Sequence, residues 1–136
     1  MALAFLDKLR PIALLLLRFG FGVVFVYHGY PKLFSRVEFF QQAFERLGLP
    51  PWLSFAAGII ELFGGALLLV GLFTRAAAML LAIEFLFAMW KVHLREGVLA
   101  VPEYEFALLV VGAALVLAST GAGPVSLDYA IFRQKA

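Results

Sequence analysis

The 136-residue chain is 64% hydrophobic and only 15% charged, and its mean hydropathy is +0.98. A soluble domain carries about 25% charged residues, so this composition excludes an ordinary soluble enzyme and indicates a single-domain integral membrane protein. The absence of cysteine excludes disulfides, redox thiols and thiolate metal sites within the chain. The net charge of +2 reflects Lys and Arg residues that lie mostly at the ends of apolar runs, where they meet lipid headgroups. Nucleic acid is therefore not an expected partner, whereas the lipid bilayer is.

Four apolar runs approach or reach the length of about 20 residues that a helix needs to cross roughly 30 Å of hydrocarbon. They cover residues 12–27, 52–72, 76–90 and 104–120. Trp52, Trp90 and Tyr104 lie at predicted ends of these runs, where amphipathic rings favour the membrane interface. We therefore predict an all-α fold in which residues 1–136 form one four-helix transmembrane bundle.

The connection between the first two spans contains a short amphipathic segment, residues 37–47. Phe40, Ala43, Phe44 and Leu47 recur at helical spacing, with charged and amide side chains between them. This pattern predicts a short helix that either lies in the membrane interface or caps one end of the bundle.

With four spans, both termini and the turn at residues 73–75 lie on the same side of the membrane. Five basic residues fall on that side and five on the other, so the positive-inside rule gives no orientation. We expect both termini in the cytoplasm, a choice that the charge count does not itself support. No small-residue cleavage site follows the first apolar run, so we expect that run to remain as a span.

Three ionisable side chains lie inside the apolar runs: Arg18, Glu61 and Glu84. A charge near the centre of a bilayer costs at least about 2.5–3.5 kcal/mol, so it persists only when it is paired with an opposite charge, hydrated or required for function. At 1.5 Å per residue the three lie within roughly 10 Å of one another in depth, and each shares a helical face with Gly or Ala. We therefore expect them to face inward at one polar site. That site is either an ion pair that fixes the packing of the helices or a working site that binds a ligand and relays protons.

His28, Lys32 and His93 lie at span ends that face away from the termini. The spacing of the two histidines matches no ligand motif on either helix, so we expect interfacial hydrogen bonding rather than haem or metal ligation. Lys32 is expected either to extend its ammonium to the headgroups or to hold an anionic headgroup or ligand. The chain has no Walker loop, GxGxxG fingerprint, HExxH motif or nucleophile elbow.

An ordered set of motifs covers nearly the whole chain. It consists of Arg18, residues 27–33 (YHGYPKL), 58–65 (GIIELFGG) and 71–75 (GLFTR), then Ala88, His93 and Gly97, then Glu105, and finally residues 121–128 (GAGPVSLD), which end in Asp128. This set resembles the DoxX family of small bacterial membrane proteins. Glu84 matches no position of the family pattern, so its inclusion in the site rests on depth and helical face alone.

The resemblance implies a four-helix protein of the bacterial plasma (inner) membrane. Some members of the family are linked to quinone-dependent oxidoreductases or to quinone stress, and more distant relatives act as membrane chaperones or cargo receptors without catalysis. Two functions follow as hypotheses. In the first, a redox-associated subunit holds a quinone or another lipophilic ligand at Arg18, Glu61 and Glu84, with His28 and Lys32 at the mouth of the site. Its partners would be redox-enzyme subunits or further copies of the chain. In the second, a non-catalytic assembly protein uses the buried charges only for structure.

Overall fold

The computed structural model describes residues 3–93, 95 and 97–132, without the side chain of His93. All regular structure within these residues is helical. The main helices are α1 (Arg10–Tyr30), α2 (Val37–Arg46), α3 (Trp52–Val70), α4 (Thr74–Ala88), α5 (Val101–Thr120) and α6 (Leu127–Phe132). A 3-10 helix, Ala4–Leu9, precedes α1, and π-helical turns continue α1 over Pro31–Ser35 and α4 over Met89–His93. The predicted all-α class is confirmed.

In the described part of the chain, three helical segments are long and apolar enough to cross a membrane. They are Ala4–Ser35, Trp52–Val70 and Val101–Thr120. Helix α4 has 15 residues, fewer than the roughly 20 that a perpendicular crossing needs. The helical regions agree with the four predicted runs, whereas the number of crossings remains a prediction.

Close backbone contact sets the register between α1 and α3. A Cβ added at Gly22 would lie 2.8 Å from the carbonyl oxygen of Gly65, and a Cβ added at Gly29 would lie 2.8 Å from that of Gly58. Small residues of this kind let transmembrane helices approach closely. The predicted inward faces of both helices are confirmed, because these glycines, Arg18 and Glu61 are all buried. Helix α4 packs on both α3 and α5, which completes the bundle.

The turn between α3 and α4 is short and depends on one glycine. Gly71 has a φ of 70°, a left-handed conformation that ends α3 at low steric cost. The amide of Leu72 donates to the carbonyl of Leu67 at 2.9 Å, which satisfies one of the free carbonyls in the last turn. The short connection between the second and third predicted spans is therefore a tight turn.

The predicted amphipathic helix is also present, as α2, and it packs against α3 and the Pro31–Ser35 turn. The half-buried ring of Phe40 lies over the ammonium of Lys32, with Nζ 4.9 Å from the ring centroid. Of the two predicted roles, these contacts favour the one in which the helix caps the bundle.

Candidate functional site

Arg18 is only 3% exposed, and its guanidinium is bonded to backbone carbonyls. Nε donates to Leu68 at 2.8 Å, and Nη1 donates to Ala122 at 2.8 Å and to Val125 at 2.9 Å. Leu68 belongs to the last turn of α3, and the other two acceptors precede α6. The buried cation therefore fastens the segment after α5 to the end of α3.

Asp128 acts on the same end of the bundle. Its carboxylate is buried and accepts the amides of Phe73 at 2.7 Å and Thr74 at 2.9 Å, while its own amide donates to the carbonyl of Gly71 at 2.8 Å. The amides that it accepts are at the N-terminus of α4, where free N–H groups and the helix dipole favour an anion. Asp128 is also the charged group that attracts Arg18. We call Arg18, Asp128 and these backbone partners the anchoring cluster.

A second polar cluster lies toward the other end of α1. The ammonium of Lys32 lies 2.9 Å from Oε1 of Glu61 and also donates to the carbonyl of His28 at 3.0 Å. The side chain of Lys32 is 12% exposed and that of Glu61 is 3% exposed. Since few waters reach this pair, its electrostatic interaction is stronger than that of a surface salt bridge.

Glu84 adds a second carboxyl to this cluster from α4. Its carboxyl interacts directly with that of Glu61, and its Oε1 is buried without a hydrogen-bond partner among the described residues. The cluster thus places two acids beside one ammonium. A pair of neighbouring carboxyls with one cation is suited to holding a proton between them and to exchanging it. We call Lys32, Glu61 and Glu84 the acid cluster.

Four aromatic rings from α1, α4 and α5 pack together near residues of the acid cluster. The half-buried ring of His28 lies 6.1 Å from the centroid of Phe25 and 5.6 Å from that of Phe106. Phe85, the residue after Glu84, contacts the same two phenylalanines at 5.2 and 6.0 Å. Each of these four rings contacts two of the others, and we call the four the aromatic cluster.

The predicted single site containing Arg18, Glu61 and Glu84 is wrong in one respect, because Arg18 is not bonded to either glutamate. It meets α3 at Leu68, which is two helical turns, or about 10 Å, from Glu61. The cation beside Glu61 is Lys32 instead. The predicted first span ended before Pro31, whereas α1 continues through the Pro31–Ser35 turn and carries Lys32 into the bundle. Lys32 lies on the same helical face as Arg18, and this spacing is the sequence feature that indicates a position inside the bundle.

The remaining predicted residues divide between the two ends. Asp128 belongs to the anchoring cluster, Glu105 is exposed on α5, and the side chain of His93 lies outside the described residues. Within the described ranges, no three His, Cys, Asp or Glu residues are grouped so that they could hold a metal ion.

The comparisons with known proteins agree with the sequence resemblance. A family model described as DoxX matches residues 13–94. The chain is 34% identical over 130 residues to a Bacillus subtilis (strain 168) protein named "Putative oxidoreductase CatD", with 96% of this chain and 95% of the relative covered. It is 35% identical over 133 residues to an uncharacterized protein of Haemophilus influenzae, and this match covers 95% of this chain and 98% of the relative. An uncharacterized membrane protein of Mycobacterium tuberculosis is 34% identical over 87 residues, and this match covers 62% of this chain and 53% of the relative. No solved structure matches the chain.

Proposed function

We propose that this chain, which belongs to the DoxX family, is a redox-associated membrane subunit that holds a quinone at the acid cluster. The observation that carries the proposal is the surplus carboxyl. Lys32 pairs with Glu61 at 2.9 Å, and Glu84 stands beside this pair with a buried oxygen that has no partner among the described residues. A relative named as an oxidoreductase supports the redox assignment.

The surplus of acid is difficult to explain by structure alone. An ion pair that only joins helices needs one acid and one base, and each further buried polar group adds a desolvation cost. Ionisable groups inside a membrane are by default functional. Glu84 therefore has a role that the Lys32–Glu61 pair does not fulfil, and proton exchange with a bound ligand is the role that its chemistry fits.

The residues of the acid cluster fit a quinone. Quinone oxygens accept hydrogen bonds, and the Lys32 ammonium has three N–H groups, of which two serve Glu61 and the carbonyl of His28. A protonated Glu84 supplies a further donor, and the aromatic cluster provides apolar surface nearby. A bound quinone contributes the ability to accept electrons together with protons. The protein's part is to orient the oxygens through Lys32 and to exchange protons through the two carboxyls.

We further propose that the chain crosses a bacterial inner membrane four times, with both termini in the cytoplasm. The fourth crossing is α4, which the Met89–His93 turn lengthens. The acid cluster then lies toward the opposite membrane face, where Phe40 of α2 covers Lys32. Electrons are exchanged with a partner redox-enzyme subunit, and the chain assembles with that subunit or with further copies of itself.

The second hypothesis, a non-catalytic assembly protein, is supported by the anchoring cluster, in which the side chains of Arg18 and Asp128 bond to backbone groups of other segments. The two hypotheses differ at Glu84. A purely structural acid cluster has no ligand, so the substitution Glu84→Leu would change stability without changing the binding of any small molecule.

The test is a titration of the purified protein, in mild detergent, with 2,3-dimethoxy-5-methyl-1,4-benzoquinone, a quinone head without a tail. We expect saturable binding, and we expect Glu84→Leu, which removes the donor of the protonated carboxyl, to raise Kd about fivefold, because a neutral hydrogen bond contributes about 1 kcal/mol. Glu61→Gln, which removes the carboxylate that positions the Lys32 ammonium, should also raise Kd. Glu45→Gln, which removes an exposed carboxyl on α2, is the control and should bind as the wild type does. Absence of binding by the wild type, or equal effects of all three substitutions, would contradict the proposal.

A further inference from the structure

A groove with a volume of about 370 Å³ runs between α1 and α5. The α1 side includes Leu16, Gly20 and Val24, and the α5 side includes Phe106, Leu109 and Ala113. The groove exists because α1 packs mainly on α3 and α5 mainly on α4, which leaves little direct contact between α1 and α5. Its volume lies at the lower end of the range of about 300–1,000 Å³ that is typical of small-molecule sites.

Both walls of the groove belong to segments that are long and apolar enough to cross a membrane. The groove therefore faces the acyl chains rather than water. A molecule that enters it comes from the bilayer, and the part that lies against these side chains is apolar, since a polar group there would lose its hydrogen bonds to water.

The groove shares two residues with the aromatic cluster. Phe25 and Phe106 line one end of it, and both rings also belong to the aromatic cluster. The same cluster is linked to the acid cluster, because Phe85 is adjacent in sequence to Glu84 and the carbonyl of His28 accepts a hydrogen bond from Lys32. From Leu16 to Phe25 the groove follows α1 for about 13 Å.

We infer that this groove binds the hydrocarbon tail of the quinone whose head is held at the acid cluster, an inference that rests on the proposed function. A membrane quinone combines the two features that the structure places next to each other, a polar ring and a long apolar chain. The aromatic cluster marks the junction between them. The groove thus gives the protein its selectivity for tailed quinones and provides the lateral route by which they enter from the bilayer.

The test compares two quinones with the same head, the tailless compound named above and its decyl derivative. Gly20→Phe fills the groove, because a Cβ at Gly20 has no atom within 4 Å. Gly112→Phe is the matched control, since Gly112 has equally open surroundings but lies on α5 outside the groove lining. We expect the wild type to bind the decyl quinone at least about tenfold more tightly than the tailless one. Gly20→Phe should abolish this difference and leave tailless binding unchanged, and Gly112→Phe should alter neither.

Equal binding of the two quinones by the wild type, or an unchanged preference in Gly20→Phe, would show that the groove does not bind the tail, while tailless binding would still support the proposed function. A change of oligomeric state in Gly20→Phe alone, measured by light scattering, would identify the groove as a contact between copies of the chain and overturn the inference. Retention of a phospholipid that decyl quinone does not displace would also overturn it. If neither quinone binds, the proposed function and the groove inference are both wrong.

Discussion

Arg18 and Leu68 are joined across α1 and α3 by a 2.8 Å hydrogen bond from the guanidinium to a backbone carbonyl. The same guanidinium reaches the carbonyls of Ala122 and Val125. Hydrocarbon cannot supply donors to free carbonyls, so each such group in a membrane protein must be satisfied internally. Arg18 therefore stabilises irregular backbone at the end of the bundle, and its charge is used for structure rather than for pairing with a glutamate.

Substitution of Arg18 should destabilise the protein even when the charge is kept. In Arg18→Lys, a single ammonium replaces a planar group that serves three carbonyls in fixed directions. We expect a cost of about 1–3 kcal/mol for each buried carbonyl left without a donor. The measurement is the fraction of protein that remains monodisperse on size-exclusion chromatography after heating in mild detergent.

Two further variants show whether the backbone contacts explain this loss. Arg46→Gln removes an exposed positive charge and should be neutral. The charge-swapped double variant Arg18→Glu with Glu61→Arg should be no more stable than Arg18→Glu alone, because the two residues are not partners. Recovery of stability in the double variant would mean that the two side chains do form an ion pair.

The glycine contacts between α1 and α3 provide a prediction with an internal control. Gly29→Ala would place a methyl group 2.8 Å from the carbonyl oxygen of Gly58, and backbone atoms cannot move aside. We expect a loss of about 1–3 kcal/mol, the usual cost of overpacking. Gly20→Ala lies in the same helix with open space around it and should be neutral or stabilising by up to about 1 kcal/mol. Equal thermal stability of the two variants would contradict the close approach of the helices.

Helical periodicity in the sequence predicted the inward faces of α1 and α3 well, because buried positions recur every three or four residues and are marked by Gly. It could not predict the partner of Arg18. Carbonyl acceptors leave no signal in the sequence, since every residue has one. The predicted first span ends before Lys32, because Pro31 normally indicates the end of a helix. In the structure, Pro31 instead begins a π-helical continuation of α1. The placement of Glu61 and Glu84 together was predicted, because depth and helical face are both properties of periodic sequence.

Asp128 should contribute to stability through the N-terminus of α4. Asp128→Ala would remove the acceptor for the amides of Phe73 and Thr74 and would leave Arg18 without its neighbouring anion. We expect a loss of about 1–3 kcal/mol, comparable to the loss of a helix cap together with a buried polar partner. Asp128→Asn keeps one acceptor oxygen and should lose less. Ser119→Ala, at an exposed position on α5, is the control for thermal measurements and should be neutral.

Removal of the ammonium of Lys32 should separate the structural role of the acid cluster from its proposed ligand-binding role. Lys32→Met leaves Glu61 buried beside Glu84 without a cation, and breaking a buried pair in this way costs about 3–5 kcal/mol. The double variant Lys32→Met with Glu61→Gln removes both charges, and such paired replacements are often close to neutral. We therefore expect the single variant to be unstable and the double variant to be nearly as stable as the wild type.

Binding should not follow stability in these two variants. The double variant lacks the donor and one of the two carboxyls that the proposed quinone site requires, so its Kd for the tailless quinone should rise at least about tenfold although the protein is folded. If the double variant recovers both stability and quinone binding, the acid cluster is only a structural ion pair. Loss of binding in a stable protein would instead place the ligand contacts at Lys32 and Glu61, because no difference in folding would remain to explain it.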